Sequence, residues 1–246
     1  MAKKIAFITG GNRGLGFQTA LELKSVAKVV ISSRDLEQGE VALGKLRSAG
    51  VDSDLLQLDI ADPSAPAAAH AYFNTNYGYL DILVNNAGIA AGKFPGNGPE
   101  HSAAGVPLEI LERVFQTNFF AQVALTKALL PLIRQSSAGR IVNLSSILGS
   151  LTLHADPKSP IYHAKSFAYD ASKTALNAFT VHLAYELRDT NIKVNSAHPG
   201  WVKTDMGGPE APMSLEEGGK TSAALATLAD GGPSGGYFHL GQKLPW

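Results

Sequence analysis

Tyr169 and Lys173 stand four residues apart in Tyr169-Asp170-Ala171-Ser172-Lys173, inside a segment of helical pattern that runs from Ala168 to Asp189. At that spacing two side chains share one helix face, so an ammonium stands beside a phenol. A phenol loses its proton near pH 10 in water, and a neighbouring positive charge stabilises the phenolate and lowers that value. A phenol tuned in this way exchanges a proton with a carbonyl oxygen near neutral pH. A Tyr and a Lys at this spacing are more often a surface pair, so the reading leans on polar residues upstream. Ser145 and Ser146 end an apolar run, and only one of two adjacent serines can face a substrate from a strand end. Asn118, in Thr117-Asn118-Phe119-Phe120, is a polar residue in a helical pattern that needs a partner if buried. A second pairing, Tyr162 with Lys165, is three residues apart and follows the loop-forming Ser159-Pro160, and it is set aside.

Near the start of the chain, Thr9-Gly10-Gly11-Asn12-Arg13-Gly14-Leu15-Gly16 follows an apolar run and opens a helix. Gly10, Gly14 and Gly16 let the backbone turn sharply and let a pyrophosphate approach the amides at the helix N-terminus, where the dipole favours anions. A dinucleotide is the natural ligand of such a turn. The next apolar run ends in Ser32-Ser33-Arg34, where an acidic residue would bond the free ribose 2′-hydroxyl of NAD. A guanidinium instead pairs with a 2′-phosphate, and Arg13 supplies a second cation. The expected cofactor is therefore NADP(H), whose reduced form would deliver hydride to a carbonyl carbon while Tyr169 protonates the oxygen.

These residues must be brought together by the elements around them. Short β-branched runs (Ile5 to Thr9, Val29 to Ser32, Leu55 to Leu58, Ile82 to Val84, Arg140 to Leu144, Lys193 to Ala197) alternate with helical patterns such as Gly14 to Ser25, Glu37 to Ala49, Glu109 to Arg134 and Ala168 to Asp189. Strands without polar alternation are buried on both faces, and a helix between each pair favours parallel pairing. The fold class expected is α/β, a Rossmann-type doubly wound parallel sheet with helices on both faces. Such a sheet binds ligands beyond the carboxyl ends of its strands. Residues 1–246 read as one NADP-binding and catalytic domain. Three loop-like stretches, about 90–107, 148–167 and 203–217, follow strand ends and would lie on the ligand side.

Composition narrows the function. With 21 basic and 21 acidic side chains the formal charge is zero, which disfavours nucleic acid and anionic membrane surfaces as partners. The sequence contains no cysteine, which removes disulfides and thiol chemistry, and no metal site is expected. No stretch approaches the ~18 apolar residues of a membrane span, and a cytoplasmic protein is the reading.

The spacing T-G-x-x-x-G-x-G resembles the short-chain dehydrogenase/reductase family. Asn85-Asn86-Ala87-Gly88 at the fourth strand end, Ser146, Tyr169 and Lys173, and Pro199-Gly200 after the sixth strand fit the same resemblance, which covers nearly the whole chain. It implies that Ser146 rather than Ser145 holds the substrate oxygen and that Lys173 also binds the nicotinamide ribose. It also implies that Asn118 anchors a water passing protons to Lys173. Asp59, with Ile60 beside it, would take the adenine amino group, and Val202 backbone with the Thr204 hydroxyl would take the carboxamide. Asn12, Leu15, Asn86, Ala87 and Gly88 would lie against the cofactor. Pro199 to Met206 and Gly235 to Trp246 look closest to the carbonyl reductase branch, which implies NADPH-dependent reduction of aldehydes, ketones or quinones. Phe94, Ile147, Leu148, Trp201, Met206 and Met213 would line a pocket for a small hydrophobic carbonyl substrate.

The gap from Ser146 to Tyr169 is longer than the family commonly shows, with His154, Asp156, Pro157, Pro160 and His163 in the insertion. The insertion can cover the substrate or obstruct the helix pairing that builds family tetramers, so dimer, tetramer and monomer stay open. His154 and His163 read as solvated loop residues. Two other functions compete: an NAD(P)-dependent alcohol or steroid dehydrogenase working oxidatively, and a non-catalytic NADP-binding sensor or scaffold. Arg34 opposes an NAD enzyme, and the complete Ser146, Tyr169 and Lys173 set opposes the scaffold.

Overall fold

The computed structural model describes residues 3–92 and 98–246, so Phe94, expected in the substrate pocket, lies outside the described residues. The β-branched runs form strands: β1 (Lys4–Ile8), β2 (Ala27–Ser33), β3 (Ser53–Gln57), β4 (Ile82–Asn85), β5 (Arg140–Leu144) and β6 (Lys193–Ala197). Two short strands follow that the sequence pattern did not reveal, β7 (Tyr237–His239) and β8 (Gln242–Lys243). The sheet order is β3-β2-β1-β4-β5-β6-β7-β8, with only the β7–β8 pair antiparallel. Order therefore reverses between β1 and β4, and the ends of these two strands open the crevice where such sheets take a ligand.

Alternate residues of each central strand feed two separate cores, the reason the runs are apolar without alternation. Ile5, Phe7 and Leu83 pack with Phe73 of α3 (Ala65–Asn76), Leu125 of α5 (Ala121–Ile133) and Leu183 of α7 (Phe167–Glu186). Ala6, Ile8 and Val84 pack on the other face with Ala20 of α1 (Gly14–Glu22), Leu46 of α2 (Leu36–Ser48) and Leu225 of α8 (Leu215–Ala226). A sheet sandwiched this way buries its strands on both faces.

One polar rung crosses the sheet near the carboxyl ends of its strands. Asn85 and Asn143 are register partners, as are Asn143 and Ser196. Asn85 Nδ2 donates to Asn143 Oδ1 at 2.8 Å and to Thr126 Oγ1 at 2.9 Å, and Asn143 Nδ2 donates to Thr180 Oγ1 at 2.8 Å. The Thr180 and Ser196 hydroxyls meet at 2.8 Å. All five side chains are fully buried.

The long helix expected from Glu109 to Arg134 is present as a continuous helical run with a wider turn inside it. α4 (Leu108–Phe115) passes into a π-helical turn over Gln116–Phe120 before α5 begins. The stretch expected as loop after β5 holds a short helix, α6 (Leu151–Ala155), and the loop after β6 gives way to α8 at Leu215, where Ser214 and Glu217 form a reciprocal cap. Among the described residues no helix is long and apolar enough to cross a membrane.

Candidate active site

The turn after β1 takes the shape its glycines allow. Gly10 and Gly14 hold φ of +61° and +55°, backbone that favours glycine. The turn is tied down from two sides: Gly10 N donates to Ser32 Oγ at 3.1 Å, and Asn86 Nδ2 donates to Thr9 O at 2.7 Å and Gly10 O at 3.1 Å. Thr9 Oγ1 accepts from the amides of Asn86 and Ala87. Gly16 has a packing role, because a Cβ there would lie 2.5 Å from Asn86 Nδ2 and 2.7 Å from Gly10 O. Of the residues assigned to the cofactor, Gly16 alone does not line the cleft that follows.

That cleft has a volume of about 1130 Å³ and runs over the carboxyl ends of the strands. Gly10, Asn12, Arg13, Gly14, Leu15, Arg34, Asp59, Ile60, Asn86, Ala87 and Gly88 line one end, and Ser146, Tyr169, Lys173, Pro199, Gly200, Val202 and Thr204 the other. Its chemistry fits a dinucleotide phosphate. The N-terminus of α1 has no side-chain cap, which leaves its amides free for an anion, and a Cβ at Gly14 would meet only Thr204, at 4.0 Å. Arg34 is exposed at the rim, where it can meet a second phosphate.

Three residues differ in detail from expectation. Arg13 is engaged: its Nη1 lies 2.6 Å from Asp205 Oδ2. Asp59 lies two residues beyond the end of β3 rather than on it, and its Oδ1 accepts from Ala61 N at 3.0 Å. The Thr204 hydroxyl is held within its own loop, donating to Val202 O at 3.3 Å and accepting from Gly207 N at 2.9 Å.

At the inner end of the cleft α7 carries Tyr169 and Lys173, with Lys173 Nζ 5.7 Å from the phenol ring centre. Lys173 Nζ donates to Leu144 O at 2.7 Å, so the end of β5 fixes the amine. Burial dominates both groups in the cofactor-free protein. It pushes the phenol up to about 12, with the Ser146 hydroxyl pulling it back, and pushes the Lys173 amine down to about 8. The direction is opposite to the expected lowering by Lys173: desolvation is the largest effect, and the Asp170 carboxylate adds to the rise. The two serines separate: Ser146 Oγ accepts from Leu148 N at 3.3 Å and faces the cleft beside Tyr169, where it lowers the phenol's pKa, while Ser145 is buried toward Tyr237 of β7.

Asn118 does not line the cleft; it lies fully buried in the π turn. Its amide spans both backbone groups of Ile89, accepting from Ile89 N at 2.8 Å and donating to Ile89 O at 2.9 Å, and it donates to Ser172 Oγ at 3.0 Å. The wide turn moves the amide to where it meets the loop after β4, as such bulges often do at functional sites. A Cβ on Gly88 would lie 3.3 Å from Asn118 Oδ1 and 3.6 Å from Lys173 Nζ, so the backbone here runs close to both side chains.

The inserted segment covers this end. Ile147, Leu148, Ile161 and His163 line the cleft, as do Trp201 and Met206, whereas Met213 does not. His154 is not a solvated loop residue: its side chain is 12% exposed, and its Nε2 meets Leu148 O at 2.9 Å and Asp170 Oδ2 at 3.4 Å. The rejected pair is built into this cover, with Lys165 Nζ 5.0 Å from the Tyr162 ring centre and 2.9 Å from His154 O. Sequence reasoning gave no role to His198, whose buried Nδ1 accepts from Ile147 N at 3.1 Å. Its position directly before Pro199-Gly200 was the only signal. Among the described residues no group of three or more His, Asp or Glu is placed to hold a metal ion.

Known proteins share this fold. The family model described as short chain dehydrogenase matches residues 4–214. Carbonyl reductase (NADPH) 1 of Mus musculus is 33% identical over 100% of this chain and 99% of its own length. Carbonyl reductase Sniffer of D. melanogaster superposes with a TM-score of 0.83 at 30% identity, covering 100% of both chains. NADPH bound carbonyl reductase from chicken fatty liver also gives 0.83, at 26% identity and the same coverage. The chain belongs to the short chain dehydrogenase family.

Proposed function

We propose that this protein is an NADPH-dependent reductase of small hydrophobic aldehydes, ketones or quinones, with Tyr169 as the proton donor. The observation that carries the reading is one cleft with a glycine turn, free helix amides and Arg34 at one end, and Tyr169, Ser146 and Lys173 at the other. The names of its full-length relatives support the same reading.

Bound NADPH supplies the hydride that reduces the carbonyl carbon. The Ser146 hydroxyl bonds the substrate oxygen and sets its distance from Tyr169. Tyr169, protonated well above neutral pH in the resting protein, gives its proton to the developing alkoxide. Lys173, held by Leu144 O, presents its ammonium to the phenolate left behind. Asn118 secures Ile89 on the wall of the cleft, and the water it would anchor by the family resemblance is the route by which the proton returns to Lys173. Segments 148–167 and 203–217 contribute to the substrate end. Ile147, Leu148, Ile161, Trp201 and Met206 there give it an apolar lining.

The test is turnover of a panel of aldehydes, ketones and quinones with NADPH and with NADH, by the wild type and by Tyr169→Phe. Turnover with a strong NADPH preference is expected, with kcat lowered by about 10²–10⁴ in the variant and NADPH binding retained. A variant at full rate removes Tyr169 from the role.

A further inference from the structure

We infer that His198 is a positioning residue whose imidazole Nδ1 locks the turn carrying Ser146 to the loop carrying Val202 and Thr204. The inference rests on the reductase reading above for its catalytic consequence, though the lock itself is a matter of geometry.

The β5–β6 ladder ends where Ser145 N donates to Ala197 O at 2.8 Å. Beyond that bond the two strand ends part: one enters the tight turn Ile147–Gly149, and the other bends at Gly200, whose φ is +92°. His198 stands at the parting. Its Nδ1 accepts from Ile147 N at 3.1 Å and faces Gly200 N at 3.4 Å. One ring nitrogen thus replaces the ladder bond that strand geometry no longer supplies. Ile147 is the residue after Ser146, so its amide fixes the peptide that aims the Ser146 hydroxyl. Gly200 precedes Trp201 and Val202, so the same nitrogen sets the start of the opposite wall.

The residue is itself held at its backbone. His198 N donates to Phe238 O at 2.8 Å, and His239 Nδ1 meets His198 O at 2.9 Å, with the two imidazole centres 4.9 Å apart. These contacts bring β7 into the lock. An Nδ1 that accepts from backbone amides carries no proton, so the neutral ring has its hydrogen on Nε2. Burial and the neighbouring His239 favour the same state, holding the ring's pKa down to about 3. The ring is therefore a fixed acceptor throughout the working pH range, and no titration of it enters the reaction.

The experiment compares His198→Leu, which keeps bulk and removes the acceptor, with His198→Asn, whose Oδ1 can replace Nδ1. Amide hydrogen exchange at Ile147 and Gly200, NADPH binding by fluorescence, and steady-state kinetics are measured on each. The Leu variant should exchange both amides faster and lose about 10–100-fold in kcat, the scale of a small misplacement of reacting groups, with NADPH affinity changed less than about threefold. The Asn variant should recover most of both properties. Equal exchange at Ile147 in wild type and Leu variant overturns the lock, as does an Asn variant no better than Leu. Should the Leu variant not fold, the ¹⁵N shifts of the wild-type ring decide: a proton on Nδ1 overturns the lock, and one on Nε2 supports it. Absence of any NADPH turnover by the wild type would instead remove the reductase reading, while the exchange data still decide the lock.

Discussion

Arg13 and Asp205 join across the mouth of the cleft, with Nη1 and Oδ2 2.6 Å apart, so that the glycine turn after β1 touches the loop after β6. Both side chains are largely exposed, and such a pair is worth up to about 1 kcal/mol. A 2′-phosphate then competes with Asp205 for one guanidinium. Asp205→Asn should tighten NADPH binding by a few fold and leave NADH unchanged, whereas Arg34→Asp should shift preference toward NADH. Fluorescence titration with both cofactors measures this, and equal changes for both would show that these cations do not read the 2′-phosphate.

Lys173 sets a limit in alkaline solution. Its amine, held down to about 8 by burial, is charged below that pH and loses its charge above it. The charged form is the one that supports a phenolate, so kcat/KM for NADPH should fall as pH rises through about 8. Tyr169 itself ionises only near 12 and adds no limb in the accessible range. A profile flat from pH 7 to 10 would contradict the assignment of Lys173.

Asn118 supports backbone before it supports chemistry. Asn118→Ala leaves the backbone N–H and C=O of Ile89 without their partner in a part-buried place, whereas the Ser172 hydroxyl keeps its bond to Tyr169 O. Stranded groups of this kind cost about 1–3 kcal/mol each, so a loss of about 2–4 kcal/mol is expected. Thermal melts should drop by about 5–15 °C. A melt within a degree of wild type would mean that the π turn holds Ile89 without the amide.

Asp170 gives stability a pH dependence. Burial raises its carboxyl from 3.8 to about 7, against the Ser166 amide and Lys165, which pull it down. The folded state therefore holds a proton that the unfolded chain releases near pH 4. The stability linked to that proton is complete below about 4 and is lost as pH rises through about 7. Asp170→Asn keeps an acceptor for Ser166 N, so it should melt higher than wild type at pH 8 and no higher at pH 4. Parallel melting curves across that range would place the carboxyl's ionisation elsewhere.

The first six strands are legible in the sequence because each is a β-branched run followed by small or polar residues at its ligand end. The glycine turn, Tyr169 and Lys173 are legible because local spacing dictates their geometry. What escaped depends on contacts distant in sequence. β7 is three residues directly after Gly236 and becomes a strand by pairing with β6 and β8. α6 is a five-residue helix that Ser150 caps inside a proline-bearing insertion. The π turn has no local signature, since the partner of Asn118 lies 29 residues earlier at Ile89. The rise rather than fall of the Tyr169 pKa depends on how deeply the insertion and neighbouring strands bury it, which no spacing encodes.

The rung of Asn85, Asn143, Thr180 and Ser196 also bears on how the chain reaches its native state. These groups bond one another only in one alignment of β4, β5 and β6. A slip of β5 by one residue would turn Asn143 to the opposite face and strand amides and hydroxyls in hydrocarbon. Parallel strands joined by long crossovers have many tempting misalignments, and apolar residues alone discriminate poorly among them. A shifted register therefore carries a polar penalty that apolar strands alone would not impose, and the native one sets the catalytic strand ends at matching heights.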